Sequence, residues 1–348
     1  MQKSIFNSAL RSFLVTLFAM FGIAFGMIPL MLTLIWLLTT SEDKMDIESQ
    51  YAPTIVSNAE GVRKKISSTA PVILKINMEG FIGSEKFNMH TVHQQLIESR
   101  EGHFKDGRVK ALLLHLNTPG GTVADADGIY RAIKAYKEHY KVPVFAFVDG
   151  MCASGGMYIA AAADKIYATD ASLVGSVGVL LNPFFNLSKL MEKIGVESLT
   201  LSAGKGKDDM NPFRPWKSGE DEPYKMIVDY YYNHFVDVVT SNRPEVNRSR
   251  LISDYGARIF PAEKALDMGF IDGSGYSFND TLRLLAKQIG IQDDYYQVVK
   301  MEKTISLGDL FRSDSVMMTG IVKHQLELPL ELDSKQMNQF LYLYLPGR

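Results

Sequence analysis

The sequence predicts an α/β fold with a largely parallel sheet, preceded by one N-terminal transmembrane helix. Three observations lead to this prediction: an uncharged stretch at 13–38, two apolar strand-like segments on either side of an amphipathic helix, and glycine-rich turns beside the strands. A strand, a crossover helix and a second strand form a βαβ unit, in which the strands run parallel and the connection is right-handed.

The first element is the apolar stretch at 13–38, which contains no charged residue. As a helix it would extend about 39 Å, against about 30 Å for the hydrocarbon core of a bilayer. A cleaved signal peptide would have a shorter apolar region of about 7–15 residues and a small-residue cleavage site. Residues 37–40 read LLTT and provide no such site. The stretch is therefore predicted to be a membrane anchor, in which Pro29 introduces a kink that membrane helices tolerate.

Charges beside the anchor predict its orientation. Lys3 and Arg11 precede it, whereas the residues after it are mainly acidic, namely Glu42, Asp43, Asp46 and Glu48, with Lys44 among them. Positive charge stays in the cytoplasm, so residues 1–12 are predicted to be a cytoplasmic tail and 41–348 to face outward. In a bacterium this describes a single-pass protein of the inner membrane with a periplasmic or extracytoplasmic domain.

The rest of the chain divides by composition. Residues 41–70 are predicted to be a linker, 71–285 the folded domain, and 286–348 an extension of uncertain structure with a weak strand at 296–299. β-branched and apolar runs predict strands, and apolar residues at intervals of three and four predict helices. The predicted strands are 72–76, 109–116, 143–148 and 165–168, and the predicted helices are 123–140, 154–163, 187–194 (ended by Gly195) and 222–241.

Overall charge and cysteine content exclude two classes of protein. Lys plus Arg is 37 and Asp plus Glu is 39, so the net charge is −2. A nucleic-acid-binding protein would need a basic face, which argues against that class of partner. Cys152 is the one cysteine, which excludes an intrachain disulfide and a cysteine-based zinc site.

Three glycine-rich turns are predicted to carry the chemistry: NTPGG at 117–121, CASGG at 152–156 and GSVG at 175–178. Ligand sites of α/β sheets lie at the ends of parallel strands. Ser154, just before a helix, has the position of an exposed nucleophile. The Gly155 amide and the turn at Gly120 and Gly121 could stabilise an oxyanion. One such turn alone would be only a tight turn, but three around one βαβ unit indicate a site.

A serine nucleophile needs a base. None of the seven histidines lies in a glycine-rich or polar turn: His115 is inside a predicted strand, and His234 is on an apolar helix face that favours a structural role. The glycine-flanked loop 201–208 offers Lys205 and Lys207 instead. A lysine base must be neutral, which requires burial to lower its pKa from about 10.4. The residues alone leave both lysines open, and a solvated loop charge is the alternative for each.

From 71 to about 275 the sequence resembles the signal peptide peptidase A (SppA) family of membrane-associated serine peptidases. The matching motifs are NTPGG at 117–121, ASGGMYIAAAADKI at 153–166, GSVGV at 175–179, LSAGKGKD at 201–208 and YGARIFPAEKALDMGFIDGSG at 255–275. The resemblance implies a Clp-protease/crotonase-like fold of repeated β-β-α units and a Ser/Lys dyad. Cys152 occupies a small-residue position of the motif and is expected to be a small buried apolar residue rather than the nucleophile.

The resemblance also assigns roles to residues. It implies Ser154 as nucleophile and, as base, the lysine directly before an aspartate, Lys207. The loop is one residue longer than is usual in the family, so Lys205 stays an alternative. The remaining implied roles are Ser176 as the hydroxyl that orients the lysine, and Gly155, Gly120 and Gly121 as the oxyanion hole.

The function implied is a membrane-anchored serine endopeptidase that cleaves apolar peptides, such as released signal peptides, near the membrane. The resemblance further implies a homo-oligomer whose sites are shared between subunits, and no metal or other cofactor is expected. Two alternatives have the same fold: a crotonase-like acyl-CoA enzyme, which would need neither the serine nor the anchor, and a catalytically inactive membrane scaffold.

Overall fold

The structure is a computed structural model that describes residues 2–39, 51–67, 69–291, 293–304 and 340–343. The chain divides into two compact units, Met1–Ser49 and Gln50–Arg348. The first unit contains helix α1 (Gln2–Thr39), with Pro29 inside it. Within α1, Asn7–Thr33 has a mean hydropathy of 2.2 and none of its window is buried, so by length and composition it could cross a membrane.

The second unit alternates strands and helices. Its strands are β1 (Tyr51–Val56), β2 (Val72–Glu79), β3 (Val109–Thr118), β4 (Gly120–Thr122), β5 (Val144–Ala153), β6 (Lys165–Ala168), β7 (Leu173–Gly175), β8 (Leu180–Leu181), β9 (Ile259–Pro261), β10 (Gln297–Lys303) and β11 (Phe340–Leu343). Its helices are α2 (Met89–Glu98), α3 (Val123–Tyr140), α4 (Gly155–Ala160), α5 (Ser188–Ile194), α6 (Glu222–Asn242), α7 (Arg248–Arg250), α8 (Ala262–Asp267) and α9 (Phe278–Gln288), with a 3-10 turn at Gly102–Phe104 and a π turn at Leu251–Tyr255.

The main sheet has the order β1-β10-β2-β3-β5-β7-β9, and β6 also pairs with β5. Pairing is parallel from β10 to β7, and only the outer strands β1 and β9 are antiparallel among the described strands of this sheet. A second sheet has the order β4-β11-β8 and is antiparallel. The predicted α/β class with a largely parallel sheet is confirmed.

Strand β3 shows why the sheet is buried on both faces. Because side chains alternate along a strand, Leu112 and Leu114 enter one apolar cluster with α3, whereas Ala111 and Leu113 enter the other with α9. Both faces of the strand must then be apolar, which explains its nearly continuous hydrophobic sequence. Helix α3 begins where the Thr122 side chain accepts a hydrogen bond from the Asp125 amide.

Two regions differ from the prediction. Residues 51–56, expected within the linker, form the edge strand β1, whose half-exposed pattern gives no continuous apolar run. In the expected C-terminal extension, the weak strand at 296–299 is real: β10 lies between β1 and β2 inside the main sheet. Pairings across more than 200 residues leave no local sequence signal. The rest of the extension and linker, at 305–339 and 41–50, lies outside the described residues.

Candidate active site

Ser154 lies at the junction between β5, which ends at Ala153, and α4, which begins at Gly155. Its backbone has φ 54° and ψ −116°, a region that non-glycine residues rarely adopt. The Ser154 amide donates to the Gly175 carbonyl at 2.9 Å, and the Ser154 carbonyl accepts from the Tyr158 amide at 3.1 Å. Such backbone strain persists where surrounding structure imposes it, and it is concentrated at functional sites.

The Ser154 side chain is fully buried, and its Oγ has no hydrogen-bond partner among the described residues. A buried hydroxyl without a partner costs about 1–3 kcal/mol, and native proteins contain few of them. Among the described residues, none supplies a partner for this hydroxyl.

Ser176 lies at the same edge of the sheet as Ser154. Strands β5 and β7 run parallel with Ala153 opposite Gly175, so each serine is the first residue beyond a paired position. Ser176 also has a positive φ of 57°, is 4% exposed, and donates its amide to the Arg258 carbonyl at 2.7 Å. The tertiary structure thus brings together two serines that are 22 residues apart in the sequence.

The third turn, at Gly120 and Gly121, packs against the start of α4. Gly120 has φ 105°, and a Cβ added there would lie 3.0 Å from the Gly155 nitrogen. The Gly120 amide donates to Thr118 Oγ1 at 3.1 Å, and this hydroxyl donates to the Gly80 carbonyl at 2.6 Å. The Gly120 amide is therefore engaged inside its own turn, whereas the Gly155 amide is at the first position of a helix and has no acceptor within that helix.

Close packing explains why the motif after Ser154 contains two glycines. A Cβ on Gly155 would lie 3.0 Å from Ile82 Cδ1, and a Cβ on Gly156 would lie 2.7 Å from Thr118 Cγ2. Any larger side chain would push α4 away from the turn. The two glycines therefore allow α4 to pack closely against the 120–121 turn.

The two candidate base residues are exposed lysines of a surface loop. Lys205 and Lys207 are both exposed, in a run of turns that spans 204–210. The Lys207 amide donates to the Gly204 carbonyl at 3.2 Å. Within the described part of the chain, neither amine hydrogen-bonds to Ser154 Oγ. The described residues therefore contain no hydrogen bond between Ser154 and either of these lysines.

The loop that carries the lysines is held by Arg214. Its guanidinium donates to Asp208 Oδ2 at 2.5 Å and to Glu220 Oε1 at 2.8 Å. Trp216 Nε1 donates to the Asn211 carbonyl at 2.9 Å and closes the same loop. Hydrogen bonds from Arg214 lower the pKa of both carboxyl groups. This network fixes the residue that follows Lys207.

A polar cluster forms around Asp127, which contacts Tyr158 of helix α4. The Tyr158 hydroxyl donates to Asp127 Oδ1 at 2.7 Å, and Arg131 Nε donates to Asp127 Oδ2 at 2.6 Å. Burial alone would raise the pKa of Asp127, but these hydrogen bonds outweigh it and leave that pKa lowered. His234 is 3.6 Å from the same carboxylate. Burial raises the pKa of the Tyr158 hydroxyl, which stays protonated.

His115, His234 and Cys152 are not hydrogen-bond partners of Ser154 Oγ among the described residues. The His115 ring stacks on Phe147 at 5.6 Å, and burial lowers its pKa. Neither His115 nor His234 hydrogen-bonds to Ser154 Oγ within the described residues. Cys152 is completely buried, and desolvation raises the pKa of its thiol to about 12. Among the described residues there is no group of three or more His, Cys, Asp and Glu side chains arranged for a metal ion.

One element at the site was missed by the sequence analysis. Strand β11 lies between β4 and β8, with Tyr342 opposite Gly121. The resemblance ends near 275, and the local signal for this strand is a short apolar and aromatic run, FLYLYL at 340–345.

Comparison with known proteins identifies the family. A model of peptidase family S49 matches residues 137–292, and one of the NfeD1b N-terminal domain matches residues 90–183. A putative protease of Synechocystis sp. is 30% identical over 237 residues, which are 68% of this chain and 81% of that protein. The chain belongs to peptidase family S49. The expected SppA-type family is thereby confirmed.

Other relatives of this S49 chain carry similar names. A putative signal peptide peptidase SppA of Enterococcus faecium is 32% identical over 236 residues, or 64% of each chain. A putative protease of Methanocaldococcus jannaschii is 34% identical over 190 residues, which are 54% of this chain and 59% of that one. The S49 chain therefore covers less than two thirds of the length of these two relatives.

Solved structures similar to the S49 chain include two proteases. A ClpP1 mutant from Listeria monocytogenes matches with TM-score 0.39 and 16% identity, covering 60% of this chain and 94% of that one. A mutant of a membrane-bound stomatin-specific protease in complex with a substrate peptide matches with TM-score 0.39 and 17% identity, covering 72% and 99%. Both scores are below 0.5, and the strand order given above is what establishes the α/β fold.

Proposed function

We propose that this chain is a membrane-anchored serine endopeptidase with a Ser/Lys dyad, in which Ser154 is the nucleophile and Lys207 the general base. The observation that carries the proposal is the state of Ser154. Its backbone is held at φ 54° at the end of a strand, and its Oγ is buried without a partner among the described residues. Membership of peptidase family S49 supports the reaction class.

In the proposed reaction, Ser154 Oγ attacks the carbonyl carbon of a peptide bond while the base removes its proton. The proton then goes to the leaving amine, and the peptide C–N bond breaks. Water hydrolyses the resulting ester with the same base. The Gly155 amide would stabilise the oxyanion. Since the Gly120 amide donates to Thr118 Oγ1, we propose Gly121 as the second donor.

A second copy of the chain would complete the dyad. Burial favours the neutral form of a lysine, which is the form that acts as a base. Helix α5 has no buried residue and carries exposed Leu190 and Ile194. Phe185, Leu199 and Leu201, close to it in the sequence, are exposed as well. Apolar surface of this extent indicates a protein interface. We infer a homo-oligomer that buries this surface, with Ser176 orienting the lysine at each shared site.

The anchor would determine which substrates reach the site. Helix α1 contains a segment that by length and composition could cross a membrane, and its flanking charges favour a cytoplasmic N-terminus. We propose residues 1–12 as a cytoplasmic tail and 13–38 as the anchor, with the folded unit outside a bacterial inner membrane. Apolar peptides at the membrane face, including released signal peptides, are the proposed substrates.

Alanine variants of the full chain in detergent test the dyad. Ser154→Ala and Lys207→Ala should each abolish hydrolysis of fluorogenic apolar peptides, while Lys205→Ala, the matched lysine two residues away, should retain it. A fluorophosphonate probe should label the wild-type chain at Ser154. Turnover that survives Ser154→Ala in a folded protein would overturn the proposal, and loss in Lys205→Ala alone would transfer the role of base to that residue.

A further inference from the structure

Strand β11, near the C-terminus, lies beside the turn at Gly120 and Gly121. It pairs antiparallel with β4, which carries the predicted oxyanion turn, and with β8 on its other side. The chain returns to this position from Thr304, the last described residue before Phe340. An extended peptide that adds a strand between two others is a common mode of peptide recognition, since main-chain hydrogen bonds accept any sequence.

The carbonyl oxygen of Tyr342 lies at the predicted oxyanion hole. A Cβ added to Gly120 would be 2.0 Å from this oxygen and 3.0 Å from the Gly155 nitrogen. A Cβ added to Gly155 would be 3.2 Å from the same oxygen. One carbonyl group of the tail is therefore next to both glycines, beside the nucleophile, as the carbonyl of a scissile bond would be.

The Tyr342 side chain fills an aromatic pocket. It is fully buried. Its ring stacks on the Tyr158 ring with 5.1 Å between centroids, and its centroid lies 4.5 Å from that of the Phe235 ring. Its hydroxyl donates to the Tyr231 carbonyl at 3.1 Å. A pocket that packs an aromatic ring on two sides and accepts a hydrogen bond at its end fits tyrosine, because the ring contributes burial and the hydroxyl contributes direction.

Tyr158 connects this pocket to the nucleophile. It lies on α4, four residues after Ser154, and its amide donates to the Ser154 carbonyl. The residue that fills the pocket is thus the residue whose carbonyl is presented at Gly120 and Gly155. In a peptidase this arrangement defines the residue on the acyl side of the cleaved bond.

We propose that β11 occupies the substrate groove as a built-in competitive ligand, and that the groove selects peptides with an aromatic residue, preferably tyrosine, on the acyl side of the cleaved bond. This proposal rests on the function proposed for Ser154. Two strands cannot occupy one groove, so β11 has to leave before another peptide binds. Strand β11 therefore occupies the groove when no substrate is bound, and competition with it lowers the apparent affinity of the enzyme for substrate.

A binding experiment tests the proposal without turnover. The probe is the fluorescein-labelled peptide NQFLYL, the sequence of residues 338–343, measured by fluorescence polarisation on the full-length Ser154→Ala chain in detergent and on the same variant ending at residue 339. The shortened chain should bind at least 10-fold more tightly. A peptide with alanine in place of its tyrosine should bind at least 10-fold more weakly to the shortened chain, whereas one with phenylalanine should lose less.

A second measurement covers a shortened chain that fails to fold. Full-length Tyr342→Ala with an intact Ser154 should hydrolyse aromatic peptides with a KM several-fold lower than wild type and an unchanged kcat, and Tyr295→Ala, an exposed tyrosine, is the control. Equal probe affinity for the long and short chains, or an unchanged KM in a folded Tyr342→Ala chain with normal turnover, would overturn the tail assignment alone. Loss of turnover in every chain, with the difference in binding intact, would overturn the serine peptidase proposal and not the groove.

Discussion

The amide of Ser154 donates to the carbonyl of Gly175 at 2.9 Å, across the parallel pair β5 and β7. This bond fixes the central residue of the turn at 152–156 to the first residue of the turn at 175–178. It holds Ser154 in a conformation that the residue would not adopt alone, since φ above zero is unfavourable for a side chain with a Cβ. The strain of the proposed nucleophile is thus maintained by the sheet rather than by the turn itself.

A methyl group at Gly120 should abolish activity. Gly120→Ala places a Cβ at φ 105°, 3.0 Å from the Gly155 nitrogen and 2.0 Å from the Tyr342 carbonyl oxygen. We expect kcat/KM to fall about 100-fold or more, because the methyl group would displace the Gly155 amide, and losing an oxyanion-hole donor usually has an effect of this size. Gly61→Ala is the matched control, because Gly61 also has a positive φ of 78° but nothing within 4 Å of an added Cβ. Full activity in a folded Gly120→Ala protein would contradict the proposed groove.

Arg214 should matter for activity without touching substrate. Arg214→Gln removes the ion pairs to Asp208 and Glu220 that hold the lysine loop. We expect kcat to fall about 10-fold or more, because misplacing a reacting group by about 1 Å has large effects. The melting temperature should fall as well, because Glu220 is buried and loses its partner, so activity is compared at a temperature where both variants are folded. Arg250→Gln is the control, because it loses an exposed pair with Asp254 and a contact with the Tyr255 ring, both away from the lysine loop. Equal activities of the two variants would show that the loop needs no support from Arg214.

Asp272 should make stability depend on pH. It accepts from the Ile166 amide at 2.9 Å and pairs with Arg243 at 2.7 Å, and Arg243 is nearly buried. Burial would raise its pKa, but these partners outweigh burial and lower it. Because the folded pKa lies below the unfolded value of about 3.9, this contribution is complete above about pH 4 and is lost as the pH falls below it.

Asp272→Asn should destabilise the folded unit by about 3 kcal/mol at neutral pH, since it leaves the Arg243 charge buried without its partner. Urea unfolding at pH 7 and pH 3 measures the effect. Wild type and variant should differ less at pH 3. Asp267→Asn is the control, because Asp267 forms an exposed pair with Lys264. A difference that grows as the pH falls would contradict the assigned role.

The Cys152 thiol should be inert in the folded protein. It is completely buried, and desolvation raises its pKa to about 12, so almost no thiolate exists at pH 8. Iodoacetamide should modify less than a few per cent of the native protein in an hour, and all of it in denaturant. Rapid native modification that also stops peptide hydrolysis would indicate that the thiol, and not Ser154, is the nucleophile.

Two arginines in the middle of α1 should prevent membrane association. Met20 and Ile23 lie within the apolar window at Asn7–Thr33, and each arginine at the centre of a span costs about 2.5–3.5 kcal/mol for insertion. We expect the double variant Met20→Arg with Ile23→Arg to leave the membrane fraction on centrifugation. The control carries Val62→Arg and Ile252→Arg, two exposed apolar residues of the folded unit. An unchanged membrane fraction in the α1 variant would show that this helix is not the anchor.

Local pattern was enough to predict much of the fold. The continuous apolar run of β3 and the helical spacing of α3 each report burial directly, because burial on two faces or on one face dictates which positions are apolar. The glycine-rich turns were predictable for a similar reason, since only glycine permits the close contacts found at Gly120 and Gly156. Edge strand β1, by contrast, is half exposed and has no such pattern.

By itself, the sequence determined the α/β class, the order of its central elements, the apolar N-terminal helix and the serine at the strand–helix junction. Each of these depends on residues that are close in the chain. Only the tertiary structure decided that Ser154 is fixed to Gly175, that β10 lies inside the main sheet, and that Tyr342 fills a pocket beside Gly120. These contacts join segments up to more than 200 residues apart, and their energy depends on shape and register rather than on any local pattern.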